Sequence, residues 1–226
     1  MKLLIGIPAF NEAQMIGNVI KSIPNSFKGI DKVDILVVSD GSTDETIKIS
    51  QSNGAIVLNH LINIGLGGAL KTIFAYAKLN HYDFLVTLDA DGQHEGSSIS
   101  QLIKPLLKKN VNIVIGTRWI KGKNMPLIRL ITNKIANIIT YLLFGVYSSD
   151  SQSGFRAFDK LAINKINLIT DGMEVSSEFF KEINSHKLKF TEIPIKAIYT
   201  DYSKNKGQKI SNSPEILLRL FVRFFQ

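Results

Sequence analysis

The sequence predicts an α/β fold, a mostly parallel central sheet flanked by helices on both faces. Three observations carry that expectation. Short apolar runs alternate with helix-period segments through the first half of the 226 residues. The runs are largely apolar, as strands covered on both faces should be. Three of them end in polar turns that contain carboxylates, on the sheet edge where ligands of such folds bind.

Leu3 to Ile7 is the first apolar run and reads as a buried strand. Ala13 to Ile23 has helical spacing through Ile16, Val19, Ile20 and Ile23. Val33 to Val38 is the second strand. Asp44 to Ser50 is a helix, and Ser42-Thr43-Asp44-Glu45 before it fits a capping box with Ser42 at the N-cap. Ala55 to Leu58 is a strand, Gly67 to Leu79 a helix and Phe84 to Leu88 a fourth strand. Ile99 to Lys108 is helical, and Val111 to Ile115 is the fifth strand. The second half is less regular. Leu127 to Phe144 reads as helix, Gly154 to Phe158 as a strand, Ser176 to Ser185 as helix and Phe190 to Ile195 as extended chain. Asp201 to Ser213 is a polar loop. Ser213-Pro214-Glu215 opens a last helix that runs to Gln226.

Composition excludes several classes. There is no Cys, so disulfides, thiolate metal sites and a catalytic thiol are absent, and four His leave little for a histidine metal site. The formal charge is +8, from 27 Lys and Arg against 19 Asp and Glu. A basic balance suits an anionic partner: nucleic acid, a phosphorylated substrate or a lipid surface. No nucleic-acid recognition motif accompanies it. The first residues do not form a signal peptide, and no apolar run reaches the roughly 18 residues of a membrane span. The expected location is cytoplasmic.

The strand ends carry the chemistry. They read Pro8-Ala9-Phe10-Asn11-Glu12, Ser39-Asp40-Gly41-Ser42 and Asp89-Ala90-Asp91-Gly92-Gln93. Asp89 and Asp91 are two residues apart at the end of an extended segment, on the same side. Their carboxylates and the Gln93 amide oxygen are hard ligands suited to Mg2+ or Mn2+. The alternative is a solvated acidic turn. Asp40 sits where it could accept N–H bonds from a nucleobase, or where it only shapes a turn. Asn11 and Glu12 have the same two readings as helix-start or ligand-binding residues. Asn63-Ile64-Gly65-Leu66-Gly67-Gly68 opens a helix with glycines that let it lie close to a nucleotide or to the sheet. It lacks the dinucleotide pattern, because Leu70 stands where the last Gly belongs.

Taken together, Ile7-Pro8-Ala9-Phe10-Asn11-Glu12, Val38-Ser39-Asp40-Gly41-Ser42-Thr43-Asp44, Asn63-x-Gly65-x-Gly67-x-Ala69, Asp89-Ala90-Asp91-Gly92-Gln93-His94, Gly116-Thr117-Arg118 and Gln152-Ser153-Gly154-Phe155-Arg156-Ala157 carry a resemblance. The chain resembles glycosyltransferase family 2, nearest the polyprenyl-phosphate (dolichyl-phosphate) mannosyl- and glucosyltransferases. The resemblance covers about the first 160 residues. It implies a GT-A (Rossmann-like) fold and inverting, metal-dependent transfer of mannose or glucose from a GDP- or UDP-linked donor to a polyprenyl or dolichyl phosphate. It places Pro8, Ala9, Phe10, Asn11, Glu12, Asp40, Asp89 and Ala90 around the nucleotide sugar. It makes Asp89, Asp91 and Gln93 the Mg2+ or Mn2+ ligands, and it puts Arg118 against a phosphate. Tyr199 with Ser203-Lys204 resembles a further family element that brings Lys204 to a substrate phosphate.

The implied chemistry builds charge on a leaving diphosphate, which the metal held by Asp91 and its neighbours would stabilise. A lipid phosphate acceptor is ionised near neutral pH and needs no base. Arg118, Arg129, Arg156 and Lys204 would position it. A saccharide hydroxyl would need a carboxylate base, and Asp150 is the candidate; the other reading of Asp150 is a loop cap. In Leu127 to Phe144 the polar residues Arg129, Asn133, Asn137 and Thr140 form one stripe on an otherwise apolar helix. Ile216 to Phe225 is apolar apart from Arg219 and Arg223. Both suit a membrane interface, with an ordinary core or oligomer helix as the alternative. The expected organisation is a transferase domain over residues 1–212, then an amphipathic helix over 213–226 on the inner face of the membrane.

Overall fold

The computed structural model describes residues 1–118 and 127–198, with the backbone alone over 127–130. The chain runs β1 (Lys2–Ala9), α1 (Ile16–Ser22), β2 (Lys32–Ser39), α2 (Thr46–Ser52), β3 (Ile56–Asn59), α3 (Leu66–Leu79) and β4 (Phe84–Thr87). A short 3-10 turn (Gly96–Ser98), α4 (Ile99–Leu107), β5 (Ile113–Thr117) and α5 (Leu127–Phe144) follow. The described chain closes with β6 (Arg156–Asp159), α6 (Lys160–Lys165), α7 (Val175–Ser185) and β7 (Phe190–Pro194). The expected helix over 213–226, with Arg219, Arg223 and Lys204, lies outside the described residues, as does the side chain of Arg129.

Seven strands form one sheet in the order β3-β2-β1-β4-β6-β5-β7. All pairings are parallel except those of β6, which runs antiparallel to both β4 and β5. The side chains alternate across the sheet. Leu3, Ile5 and Ile7 pack on one face with Ile16, Val19 and Ile20 of α1 and Leu102 of α4. Leu4, Leu36 and Leu85 pack on the other face with Ile73 and Phe74 of α3 and Phe179 of α7. The period of two along β1 therefore feeds two cores, and both must be apolar.

The inserted β6 matters for the site. It enters the sheet from the edge where β4 and β5 end, so the loop before it lies across that edge. Thr87 Oγ1 donates to the Gly154 carbonyl at 2.7 Å, and the Gly116 N–H donates to the Phe155 carbonyl at 2.9 Å. These bonds pin the loop over the strand ends.

Three local expectations change. Ser42 is not an N-cap: α2 starts at Thr46, and no side chain caps it at Glu45. Ser42 Oγ instead accepts from the Asn11 N–H across the site. The α6 helix has six residues, too few for a periodic signal, and is set by its cap, Asp159, whose carboxylate accepts from the Ala162 N–H. The glycine-rich start of α3 meets a third partner, the strap at Thr170 and Asp171. The N–H groups of Gly67 and Gly68 donate to the Asp171 carbonyl at 2.7 and 3.2 Å. A Cβ at Gly67 would overlap the Thr170 carbonyl. The strap is held from behind by the buried Glu178, whose carboxylate accepts from the N–H groups of Ile169 and Thr170.

Candidate active site

The turns after β1 and β2 are stitched to each other. Asn11 has φ of +53°, which aims its side chain at the neighbouring turn, where Oδ1 accepts from the Thr43 N–H at 2.8 Å. The Glu12 N–H donates to Thr46 Oγ1 at 2.8 Å, and the Ala13 N–H to Asp44 Oδ2 at 3.1 Å. The "helix-start" residues of both segments thus bond to the other segment and fix one wall. Ala9 is buried beneath this wall and Phe10 is exposed on it.

Asp40 closes the wall from inside. Its buried carboxylate accepts from the N–H groups of Ile64 at 3.0 Å and Gly65 at 2.7 Å. His60 Nδ1 stands 2.7 Å from the same carboxylate, and His60 Nε2 stands 2.9 Å from Thr72 Oγ1 of α3. The end of β2, the 60–65 loop and, through His60, Thr72 of α3 meet on this one group. A carboxylate with several charge-assisted bonds is both satisfied and fixed.

Asp89, Asp91 and Gln93 follow β4, as the sequence predicts. The Asp89 carboxyl is pushed up to about 7, first by loss of solvent and then by the charge of Asp91; Arg118 and Arg156 pull it down. Gln93 donates to both oxygens of Asp91, from its backbone N–H at 2.9 Å and from Nε2 at 2.6 Å. Its amide oxygen takes part in neither of these bonds. Gly154 provides the room: a Cβ there would stand 2.7 Å from the carboxyl carbon of Asp89. Next to this group His94 is buried and stacks on Phe155 at 5.2 Å between ring centroids. Neither ring nitrogen has a hydrogen-bond partner, and Nε2 lies 3.8 Å from Asp89. Burial, with the Arg118 charge, lowers its pKa to about 3, so it packs as a neutral ring.

Arg118 and Asp150 form the opposite wall. Arg118 Nε and Nη2 donate to the two oxygens of Asp150 at 2.8 and 2.7 Å, and the Arg118 N–H adds a bond at 3.0 Å. Asp150 is buried, which raises its pKa, but the Arg118 bonds and charge outweigh that and hold it below the ordinary range. Arg156 lies elsewhere than its expected place on the acceptor side. It is 2% exposed, its guanidinium donates to the carbonyls of Ser151, Ser153 and Ser176, and it lies 4.5 Å above the Phe179 ring. Burial lowers its pKa to about 10, and it stays a cation beneath the cleft, charged at neutral pH. A small pocket of about 10 Å3 is lined by Pro8, Asp89, Gly154, Arg156 and Ser176. Two residues of the α5 polar stripe face inward: Asn137 and Thr140 are buried and bond to the 149–151 turn and to Ser177. Ile131, Ile135, Ile138 and Leu142 face outward, 46–73% exposed.

Residues 4–166 match the family model Glycosyl transferase family 2. The chain belongs to that family. This transferase is 41% identical over 228 residues to an uncharacterized protein of Methanocaldococcus jannaschii, covering 98% of this chain and 92% of that one. It is 36% identical to the UDP-N-acetylglucosamine–dolichyl-phosphate N-acetylglucosaminyltransferase of Methanococcus voltae, over 96% of this chain and 93% of that one. Among solved structures it is similar to glucosyl-3-phosphoglycerate synthase of Mycobacterium tuberculosis, solved with Mn2+, UDP and glucosyl-3-phosphoglycerate. The TM-score is 0.74 at 18% identity, over 97% of this chain and 77% of that one. That likeness gives the GT-A-like fold.

A divalent cation fits the residues at the end of β4. The Asp89 carboxyl, pushed up to about 7 by burial and then by the Asp91 charge, would be relieved by a positive ion beside it. Among the described residues no three His, Asp or Glu side chains could hold an ion by themselves. An ion here would draw on Asp89, Asp91, the Gln93 oxygen, water and substrate phosphate, which is how Mg2+ is commonly held. Some residues around the site lie outside the sequence reading. Glu192 and His60 belong to none of the motif segments, whereas His94 closes the Asp89–His94 segment and Asn137 belongs to the polar stripe of α5.

Proposed function

We propose that this transferase moves a sugar, with inversion, from a nucleotide sugar to a polyprenyl phosphate at the inner face of the membrane. The observation that carries the reading is the Arg118–Asp150 pair. Asp150, the candidate base toward a hydroxyl acceptor, is held by an arginine and kept weakly basic. A phosphate acceptor needs no base, and an arginine fixed in place is what would orient it. The dolichyl-phosphate specificity in the name of the M. voltae relative supports the same acceptor class.

In this reading Pro8, Ala9, Phe10, Asn11, Glu12, Asp40 and Ala90 shape the nucleoside wall, with Asp40 already fixed by backbone donors. Asp89, Asp91 and Gln93 hold Mg2+ or Mn2+, which supplies electrostatic stabilisation of the departing diphosphate. Arg118 faces the incoming phosphate, and Arg156 adds a buried positive charge under the cleft. Arg129 and Lys204 remain proposed acceptor contacts. The outward stripe of α5 rests on the membrane surface beside an overall charge of +8. Among the described residues no helix is long and apolar enough to cross a membrane. The donor is GDP-mannose, UDP-glucose or, as the name of the M. voltae relative suggests, UDP-N-acetylglucosamine.

The test incubates the protein and Mn2+ with each labelled donor and either a polyprenyl phosphate or a saccharide. Sugar on the lipid phosphate is expected. Transfer to the saccharide alone would overturn the reading.

A further inference from the structure

The arginine that faces the acceptor is held by a turn with almost no apolar side chain of its own. Ser148, Ser149, Asp150 and Ser151 contribute only small polar groups, so hydrogen bonds from outside must set their position. Those bonds come from two sides. From β7, the Glu192 carboxylate accepts from Ser148 Oγ at 2.6 Å, the Ser149 N–H at 2.9 Å and Ser149 Oγ at 2.6 Å. From α5, Asn137 donates through Nδ2 to the Ser149 carbonyl at 2.6 Å. Its Oδ1 accepts from the Ser151 N–H at 2.9 Å and from Ser151 Oγ at 2.8 Å. Ser148 Oγ accepts in turn from the Asp150 N–H at 3.2 Å. Asp150 then grips Arg118.

We infer that Glu192 and Asn137 are positioning residues for the acceptor, acting through Asp150 on the Arg118 guanidinium. They touch neither Asp89, Asp91 and Gln93 nor the stitched turns after β1 and β2 by any of these bonds. Their hydrogen bonds are therefore confined to the acceptor wall, and the nucleotide wall receives none of them. Outer partners of this kind are felt as changes in the group they orient. The inference rests on the role given above to Arg118.

The test is a double-mutant cycle between Glu192→Gln and Arg118→Ala, with Asn137→Asp as a second, isosteric entry if Glu192→Gln folds poorly. Steady-state kinetics are read with the acceptor varied, and nucleotide affinity is read by calorimetry with Mn2+ present. Glu192→Gln is expected to raise the acceptor KM about 10-fold, as loss of an orienting partner does, with nucleotide Kd unchanged. In the Arg118→Ala background it should add almost nothing, because the group it orients is gone. Effects that multiply independently, or an equal loss of nucleotide affinity, would overturn the inference. Failure of the unaltered protein to use any polyprenyl phosphate is a different result, and it sinks the proposed function instead.

Discussion

Gln93 bonds twice to Asp91, through its backbone N–H to Oδ1 and through Nε2 to Oδ2. The second carboxylate of the acidic turn is thereby locked to Gln93, so the two act as one unit. Asp89 responds to its surroundings, with its carboxyl pushed up to about 7 by burial and by the Asp91 charge. A rigid pair beside such a neighbour suits the proposed metal site.

Asp91→Asn should leave the fold intact, because an amide still packs in the same volume. It should lower transfer by at least about 100-fold, the loss typical of a group that stabilises developing charge. The rise in melting temperature on adding nucleotide with Mn2+ should disappear with it. A variant that keeps that ligand-induced shift would remove Asp91 from the metal site.

Asp150 sets a pH dependence. Its folded pKa lies below the ordinary value of 3.8, so the ion pair stabilises fully above about pH 4 and is lost as pH falls through the folded pKa. Asp150→Asn breaks a buried pair from one side and should cost about 3 kcal/mol at pH 7. Its melting temperature plotted against pH should also fall less steeply in acid than that of the parent. An unchanged acid limb would contradict the pairing.

Gly67→Ala tests the strap. The added Cβ would sit 2.8 Å from the carbonyl carbon of Thr170, in the backbone that caps α3. A backbone neighbour cannot move aside as a side-chain tip does, so a loss of about 1–3 kcal/mol is expected in urea unfolding. Full parental stability would mean that the strap yields freely.

Leu142→Glu, alone or with Ile138→Glu, tests the outward face of α5. Both side chains are exposed, so stability should stay within about 0.5 kcal/mol. Co-sedimentation with anionic lipid vesicles should fall, together with transfer to a membrane-embedded acceptor. Transfer to a short, water-soluble acceptor should be spared. Vesicle binding equal to the parent would dismiss this face as the contact.

Much of the fold could be read from the chain. Apolar runs such as Leu3–Ile7 and Ile35–Val38, in alternation with helical segments, fit strands covered on both faces, and their polar ends place Asp40, Asp89 and Asp91 on one edge. Those statements need only local pattern and the period of two. Side-chain allegiance was another matter. Ser42 looked like a helix cap because capping is a local motif, yet the hydroxyl serves Asn11, 31 residues away in sequence. Arg156 looked like a phosphate ligand because arginines usually reach the surface, yet three carbonyls and two aromatic rings hold it inside.

The sequence by itself therefore determined the class of fold, the edge that carries the chemistry and the acidic turn after β4, because hydrophobic period and turn composition are properties of consecutive residues. Only the tertiary structure decided which face of α5 looks outward, that β6 enters antiparallel and lays the Ser148–Ser151 turn over the site, and that Asp150 belongs to Arg118. Those outcomes depend on hydrogen bonds between segments tens of residues apart, such as the 32 residues between Arg118 and Asp150. No local pattern records such partners, since the free energy that selects them arises only when the sheet brings the strand ends together.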